Sequence, residues 1–255
     1  MPRGNWGGRA VRALLRGRGY NLVKGDHRKA EPPVDTDDHT RRVIKAIENH
    51  TLTTHERVIA LVDTVRHITR YAIPGAIVEC GVWRGGSMMA IAMTLVDLGD
   101  TARDLYLFDT FTHMPSPGPE DFTANGRKVI DVAADAPIPD TYAYIPLDEV
   151  KAAMLSTGYP EERLHFVPGL VEDTIPSSAP EHIALCRLDT DFYESTKHEL
   201  EHLYPRITPG GALLVDDYGH FLGARKATDE YLASLDAPPP FMHRIDYSAR
   251  LLFKP

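Results

Sequence analysis

Hydrophobic positions change their spacing twice along this chain. Over residues 38–47, Val43, Ile44 and Ile47 share one helical face. The same spacing returns over 56–71 with Val58, Leu61, Val62, Val65 and Ile68, and Thr53 with Glu56 has the spacing of a capping box. Pro74-Gly75 ends that helix. Short apolar runs then alternate with helical stretches. Strands are predicted at 76–80, 105–108, 164–167, 183–188 and in a run closing at Val215, with helices at 87–98, 147–156, 195–204 and 224–235. Two last runs, 241–245 and 249–253, flank Asp246-Tyr247-Ser248 and predict a terminal hairpin antiparallel to part of the sheet. Buried strands alternating with helices predict an α/β fold around a mostly parallel sheet.

Two segments stand outside this alternation. Residues 1–37 start basic and turn acidic at Asp35 and Asp37, which reads as a flexible arm with one short helix. Residues 112–146 are rich in proline and charge. A stretch that long inside a compact domain is either a functional lid or disordered.

Composition narrows the class. With 255 residues the chain suits one large α/β domain plus an extra subdomain. A net charge of -8 argues against a nucleic-acid partner, whose footprint would be basic. No apolar stretch approaches the roughly 18 residues of a membrane span, and no secretory signal opens the chain. Cys80 and Cys186 lie in strand-like runs, as buried thiols of a reducing compartment do. A soluble, cytoplasmic protein is expected.

The chemistry concentrates at strand ends. Leu188-Asp189-Thr190-Asp191 and Val215-Asp216-Asp217-Tyr218 each follow a buried run. Carboxylates so placed share the sheet edge where open α/β folds bind ligands. Four such charges repel unless a cation joins them, and an all-oxygen set favours a hard divalent ion. Asp189, Asp216 and Asp217 are the expected ligands, with Asp191 able to reach a substrate proton instead.

A second motif, Glu79-Cys80-Gly81-Val82-Trp83-Arg84-Gly85-Gly86-Ser87, runs from strand through a glycine turn into a helix. It is not the dinucleotide fingerprint, and its leading acid suits an amine-bearing ligand better than a pyrophosphate. Trp83 is placed either to stack on that ligand or to pack in the core. Asp109, in Phe108-Asp109-Thr110-Phe111 at the next strand end, is placed to bind ribose hydroxyls or to cap a turn. The spread of twelve histidines contributes less; His220 follows the second aspartate pair, and His198 with His202 reads as a solvated helical face.

Together these motifs resemble the macrocin O-methyltransferase family, over roughly residues 75–235. The resemblance implies a Rossmann-like methyltransferase fold with a seven-stranded sheet, its last strand antiparallel. It implies S-adenosylmethionine and Mg2+ as cofactors and methylation of deoxysugar hydroxyls on natural products. Glu79, Gly81, Trp83 and Ser87 would hold the methionine part, and Asp109 with Thr110 the ribose. Glu172 and Asp173 would lie near the adenine. Asp189, Asp216 and Asp217 would bind the metal, leaving Asp191 as base. Phe192 stands where related catechol-type enzymes have a lysine base, so that lysine chemistry is closed to this chain. Residues 1–72 would form an arm with helices for lid or oligomer contacts, and 73–255 the catalytic domain. A glycosylated small-molecule acceptor and a homo-oligomer are expected. A haloacid-dehalogenase-type phosphatase would carry its D-x-D on the first strand, and a D-x-D glycosyltransferase would have no use for the Glu79 turn.

Overall fold

The computed structural model describes residues 31–135, 144–236 and 238–255. The short helix expected within the arm falls outside them if it precedes residue 31. In chain order the helices are α1 (Asp38–Ile47), α2 (His55–Arg70), α3 (Gly86–Leu98), α4 (Val129–Asp135), α5 (Leu147–Leu155), α6 (Val171–Thr174), α7 (Tyr193–Leu203) and α8 (Leu222–Ala233). The strands are β1 (Ala76–Cys80), β2 (Leu105–Asp109), β3 (Leu164–Pro168), β4 (Ile183–Leu188), β5 (Ile207–Val215), β6 (His243–Arg244) and β7 (Arg250–Phe253). No described helix is long and apolar enough to cross a membrane.

The seven strands form one sheet in the order β3-β2-β1-β4-β5-β7-β6. β1 to β5 are parallel, and β7 runs antiparallel to both β5 and β6. The strand order reverses between β1 and β4, so a crevice opens past their carboxyl ends.

Strand alternation sorts side chains into two layers. Ile77, Leu105, Leu107, Leu185 and Leu214 join the core beneath α1, α2, α3 and α5. Val78, Phe108, Cys186, Leu213 and Val215 join the core on the opposite face, with Leu200 and Leu203 of α7 and Leu232 of α8. The first two helices therefore share their core with the sheet. On α2, Val58, Leu61, Val62, Val65 and Ile68 are all buried, each stabilising by about 1.5–3 kcal/mol as an upper figure.

Three helix starts are completed by distant segments, and each lies one or two residues before its predicted position. Gly86 N donates to His50 O (2.9 Å), Tyr193 N to Asp121 Oδ1 (2.8 Å) and Leu222 N to Phe122 O (2.7 Å). Helix N-termini leave orphan amides, and here remote partners supply what a local cap residue would. The helix at α2 is capped by Thr54, one residue later than the expected Thr53.

The 112–135 segment is ordered around buried Asp121. Its Oδ2 accepts from Gly118 N (2.7 Å), its carbonyl accepts from Val129 N (3.0 Å), and Phe122 and Thr123 form bridges to Lys128 and Phe221. This proline-rich stretch is thus tied to the starts of α7 and α8, the two helices that follow the aspartate motifs. Residues 136–143 are outside the described range.

Candidate active site

Register and alternation build the site. Glu79 and Arg187 are Cα partners on adjacent strands, so their side chains emerge side by side on the face covered by α2. Arg187 Nη1 donates to Glu79 Oε1 (2.6 Å) and Asp189 Oδ2 (2.7 Å), and its Nη2 to Asp216 Oδ1 (2.5 Å). Arg57 of α2 reaches over to Asp216 Oδ2, while its Nε donates to Asp246 Oδ2 (2.8 Å). Two guanidiniums thus bind four carboxylates, three at the ends of β1, β4 and β5 and the fourth, Asp246, in the turn between β6 and β7. Arg187 is buried, and desolvation opposes its charge, yet the surrounding carboxylates hold its pKa well above the ordinary value.

The aspartates divide within this frame. Asp189, Asp191 and Asp217 each offer an oxygen, and all three oxygens lie within 4.8 Å of one another. Asp216, expected as a ligand, has both oxygens engaged by arginine instead. Asp217 is buried, and its Oδ2 has no hydrogen-bond partner. Burial first, and then the neighbouring carboxylates, push Asp217 far above the carboxylate range. Burial and the Asp189 charge push Asp191 up to about 8. Burial also raises Asp189, against the pull of Arg187, although 30% of that side chain stays open to solvent. Crowded carboxylates with an orphaned oxygen and no soft donor fit a hard divalent cation, which would reverse these shifts. Asp191 itself sits in the left-handed region (φ 67°), a conformation costing a non-glycine residue about 1–2 kcal/mol.

The glycine turn lies directly beside this cluster. A Cβ on Gly81 (φ +80°) would stand 2.1 Å from the Asp189 carbonyl oxygen, so only glycine lets the β1 and β4 ends meet there. Asp109 Oδ2 accepts from Val82 N (2.7 Å) and Trp83 N (3.0 Å), and its Oδ1 from Phe111 N (2.8 Å). It clamps two left-handed residues, Trp83 and Phe111, and of its two oxygens only Oδ1, with a single amide donor, keeps a lone pair to offer. Thr110 Oγ1 lies 3.5 Å from Asp109 Oδ1. Glu79 Oε2 is buried without a partner, and burial pushes the carboxyl up to about 8. A free acceptor at the start of the glycine turn suits a cationic amine. Ser87 is buried at the start of α3, and Trp83 is half-buried. Glu172 and Asp173 are exposed on the one-turn α6 beyond β3.

Residues 20–253 match the model of the family described as macrocin-O-methyltransferase (TylF). The chain belongs to that family. Its relatives include the 8-demethyl-8-(2,3-dimethoxy-alpha-L-rhamnosyl)-tetracenomycin-C 4'-O-methyltransferase of Streptomyces olivaceus, 32% identical over 211 residues, or 80% of this chain and 78% of the relative. The demethyldecarbamoylnovobiocin O-methyltransferase of Streptomyces niveus is 31% identical over 187 residues, covering 73% and 69%. Among solved structures, the O-methyltransferase NovP superposes with a TM-score of 0.71 at 27% identity, covering 80% of this chain and 82% of NovP. Membership makes the chain an O-methyltransferase of the Rossmann-like class and implies S-adenosylmethionine as donor. It also removes the phosphatase and glycosyltransferase readings.

Family membership leaves the arginines to be explained from the structure. Arg57, Arg187 and Asp246 belong to the site, and no local motif announced them. The usable signal was Arg187 itself, a lone charge inside the apolar strand Ile183–Leu188, since a buried charge requires a partner. A further buried acid lies on the other face of the sheet. Glu199 accepts from Thr190 Oγ1 (3.0 and 3.2 Å to its two oxygens), steadying the residue between Asp189 and Asp191. Burial raises its pKa well above the ordinary value and does the same for the Cys80 and Cys186 thiols, which are free and inert. His198 Nε2 is bound to Ile175 O (2.9 Å), away from this cluster.

Proposed function

We propose that this enzyme methylates a hydroxyl of a deoxysugar carried on a natural product, with Mg2+ held by Asp189 and Asp217 and with Asp191 at the ion's edge. The observation that carries the proposal is the three-aspartate cluster beside the Glu79 turn. It sets a cation-demanding group beside the glycine turn at the sheet's reversal point, which supports the reading. The relatives' named activities on rhamnosyl-tetracenomycin and novobiocin precursors support the substrate class.

Glu79 Oε2 would accept from the donor's ammonium group, with Gly81, Trp83 and Ser87 lining the turn. Asp109 and Thr110 would face the ribose, and Glu172 and Asp173 the adenine side. When bound, S-adenosylmethionine supplies a sulfonium methyl and departs as S-adenosylhomocysteine. When bound, the divalent ion lowers the pKa of the acceptor hydroxyl into the range a carboxylate can serve. Asp191 takes the hydroxyl proton on its carboxylate; the acceptor oxygen forms its bond to the methyl carbon as the carbon–sulfur bond breaks. Arg187 and Arg57 hold Asp189 and Asp216 in place, and so fix the β1, β4 and β5 ends relative to one another. Much of the rate gain follows from that positioning.

Turnover of a panel of glycosylated polyketides and aminocoumarins, read as S-adenosylhomocysteine formed, tests the reading. Methylation on the sugar of at least one acceptor is expected. Binding of S-adenosylhomocysteine with transfer only to non-sugar hydroxyls would overturn the substrate class.

A further inference from the structure

On the acceptor side of the aspartate cluster lies an aromatic surface that the chemistry above does not use. The donor turn occupies the β1 and β2 flank, so an acceptor must approach from the β5 and β7 flank. There the chain exposes Tyr247, 60% accessible, and His220. Isolated exposed aromatics are ordinary. This pair is neither isolated nor loosely held.

The loop that carries Tyr247 is fastened at every neighbouring residue. Asp246 Oδ1 accepts from Ser248 N and Ala249 N (both 2.8 Å), and buried Ser248 donates its hydroxyl to Asp216 O (2.7 Å). Gly219 N donates to Ser248 O (2.9 Å), and a Cβ at Gly219 would stand 2.0 Å from the Tyr247 carbonyl. His220 N in turn donates to Asp217 O (2.9 Å). The Tyr247 hydroxyl approaches His220 Nδ1 (3.4 Å), and the two rings meet edge-on with centroids 5.9 Å apart. The Arg57 guanidinium sits 5.5 Å from the Tyr247 ring centre, and the residue is still 60% accessible. The two rings are thus built onto the backbone of Asp216 and Asp217.

We propose that Tyr247 forms the floor of the acceptor's sugar subsite and His220, set almost perpendicular to it, a side wall; a pyranose ring stacks its C–H face on Tyr247 while its hydroxyls reach the aspartate cluster. The proposal rests on the sugar-methyltransferase reading. A deoxypyranose has an apolar face and a polar rim. A rigid aromatic surface beside carboxylates complements both.

Saturation-transfer NMR with methyl α-L-rhamnopyranoside as probe, in the presence of S-adenosylhomocysteine and Mg2+, tests the subsite. The intact protein should saturate the probe's ring protons. Tyr247→Ala should lower that signal about tenfold and His220→Ala by a smaller factor. Tyr247→Phe should regain most of what the alanine variant loses. Tyr71→Ala, an exposed tyrosine that stacks on His67 and lies apart from the site, should leave the signal unchanged. Thermal shift with S-adenosylhomocysteine should match across all these variants. A signal absent from the intact protein, or unaltered in Tyr247→Ala, overturns the subsite. Failure of the intact protein to bind S-adenosylhomocysteine overturns the methyltransferase reading instead.

Discussion

Asp216 accepts from Arg57 and Arg187 through both its oxygens, whereas the next residue, Asp217, has one buried oxygen with no partner. The contrast extends to their surroundings. On one side Glu79, Asp189, Asp216 and Asp246 are stitched together by two guanidiniums. On the other, Asp191 and Asp217 group with Asp189, and among the described residues no cationic side chain is bonded to either. Strand alternation explains the split. Asp216 continues the Leu214 alternation toward α2, where Arg57 meets it, and Asp217, one residue out of step, lies with Asp189 and Asp191. Adjacent acids thus meet different partners: the first is bonded by two arginines, and the second is the one that the proposal gives to an ion.

Chelation gives the largest test of this contrast. Excess EDTA should abolish turnover and Mg2+ should restore it, because no guanidinium among the described residues bonds to Asp191 or Asp217. Activity that persists in EDTA would assign the cluster a role without metal. Asp191→Asn should come next, with kcat falling by about 10²–10⁴ and S-adenosylhomocysteine affinity nearly unchanged. Unaltered kcat would remove Asp191 as the proton acceptor.

Breaking the opposite half should cost stability as well as activity. Arg187→Met leaves three acids without their shared cation, and loss of one partner from a buried ion pair costs about 3–5 kcal/mol. Urea unfolding measures it, and a change under about 1 kcal/mol would show that the acids neutralise by protonation instead.

The smallest effect is in pH. The Asp191 pKa, about 8 in the folded protein, lies above its unfolded value, so the metal-free fold binds the extra proton. That contribution is complete below about pH 4 and is lost as pH rises through about 8. Mg2+ displaces the proton and should therefore raise the melting temperature more at about pH 8.5 than at about pH 6. An equal rise at both would mean that Asp191 is already ionised in the metal-free protein.

Local pattern carried the sheet and most of the helices, because strand runs such as 183–188 and the α2 stripe are set by period alone. It misplaced the starts of α3, α7 and α8, whose first amides bond to His50, Asp121 and Phe122 respectively, far away in sequence. The aspartates were legible as a group, since each pair sits just past a buried run. The arginine bonds to Asp216 were not. Asp216 is separated from Asp217 by partners 159 and 29 residues distant, and no spacing rule reports such contacts. Asp246 read as a hairpin turn, which it is; its bond to Arg57 spans 189 residues and shows only in the fold.

Mn2+ binding to Asp217→Asn and Asp216→Asn, followed by electron paramagnetic resonance on protein shown to be folded by near-UV circular dichroism, tests the central contrast most directly. Asp217→Asn should weaken the ion at least about tenfold, and Asp216→Asn should keep its affinity within about threefold while unfolding at lower urea. Equal loss of Mn2+ in both variants, with Asp216→Asn as stable as the unmodified protein, would contradict the division and return Asp216 to the metal.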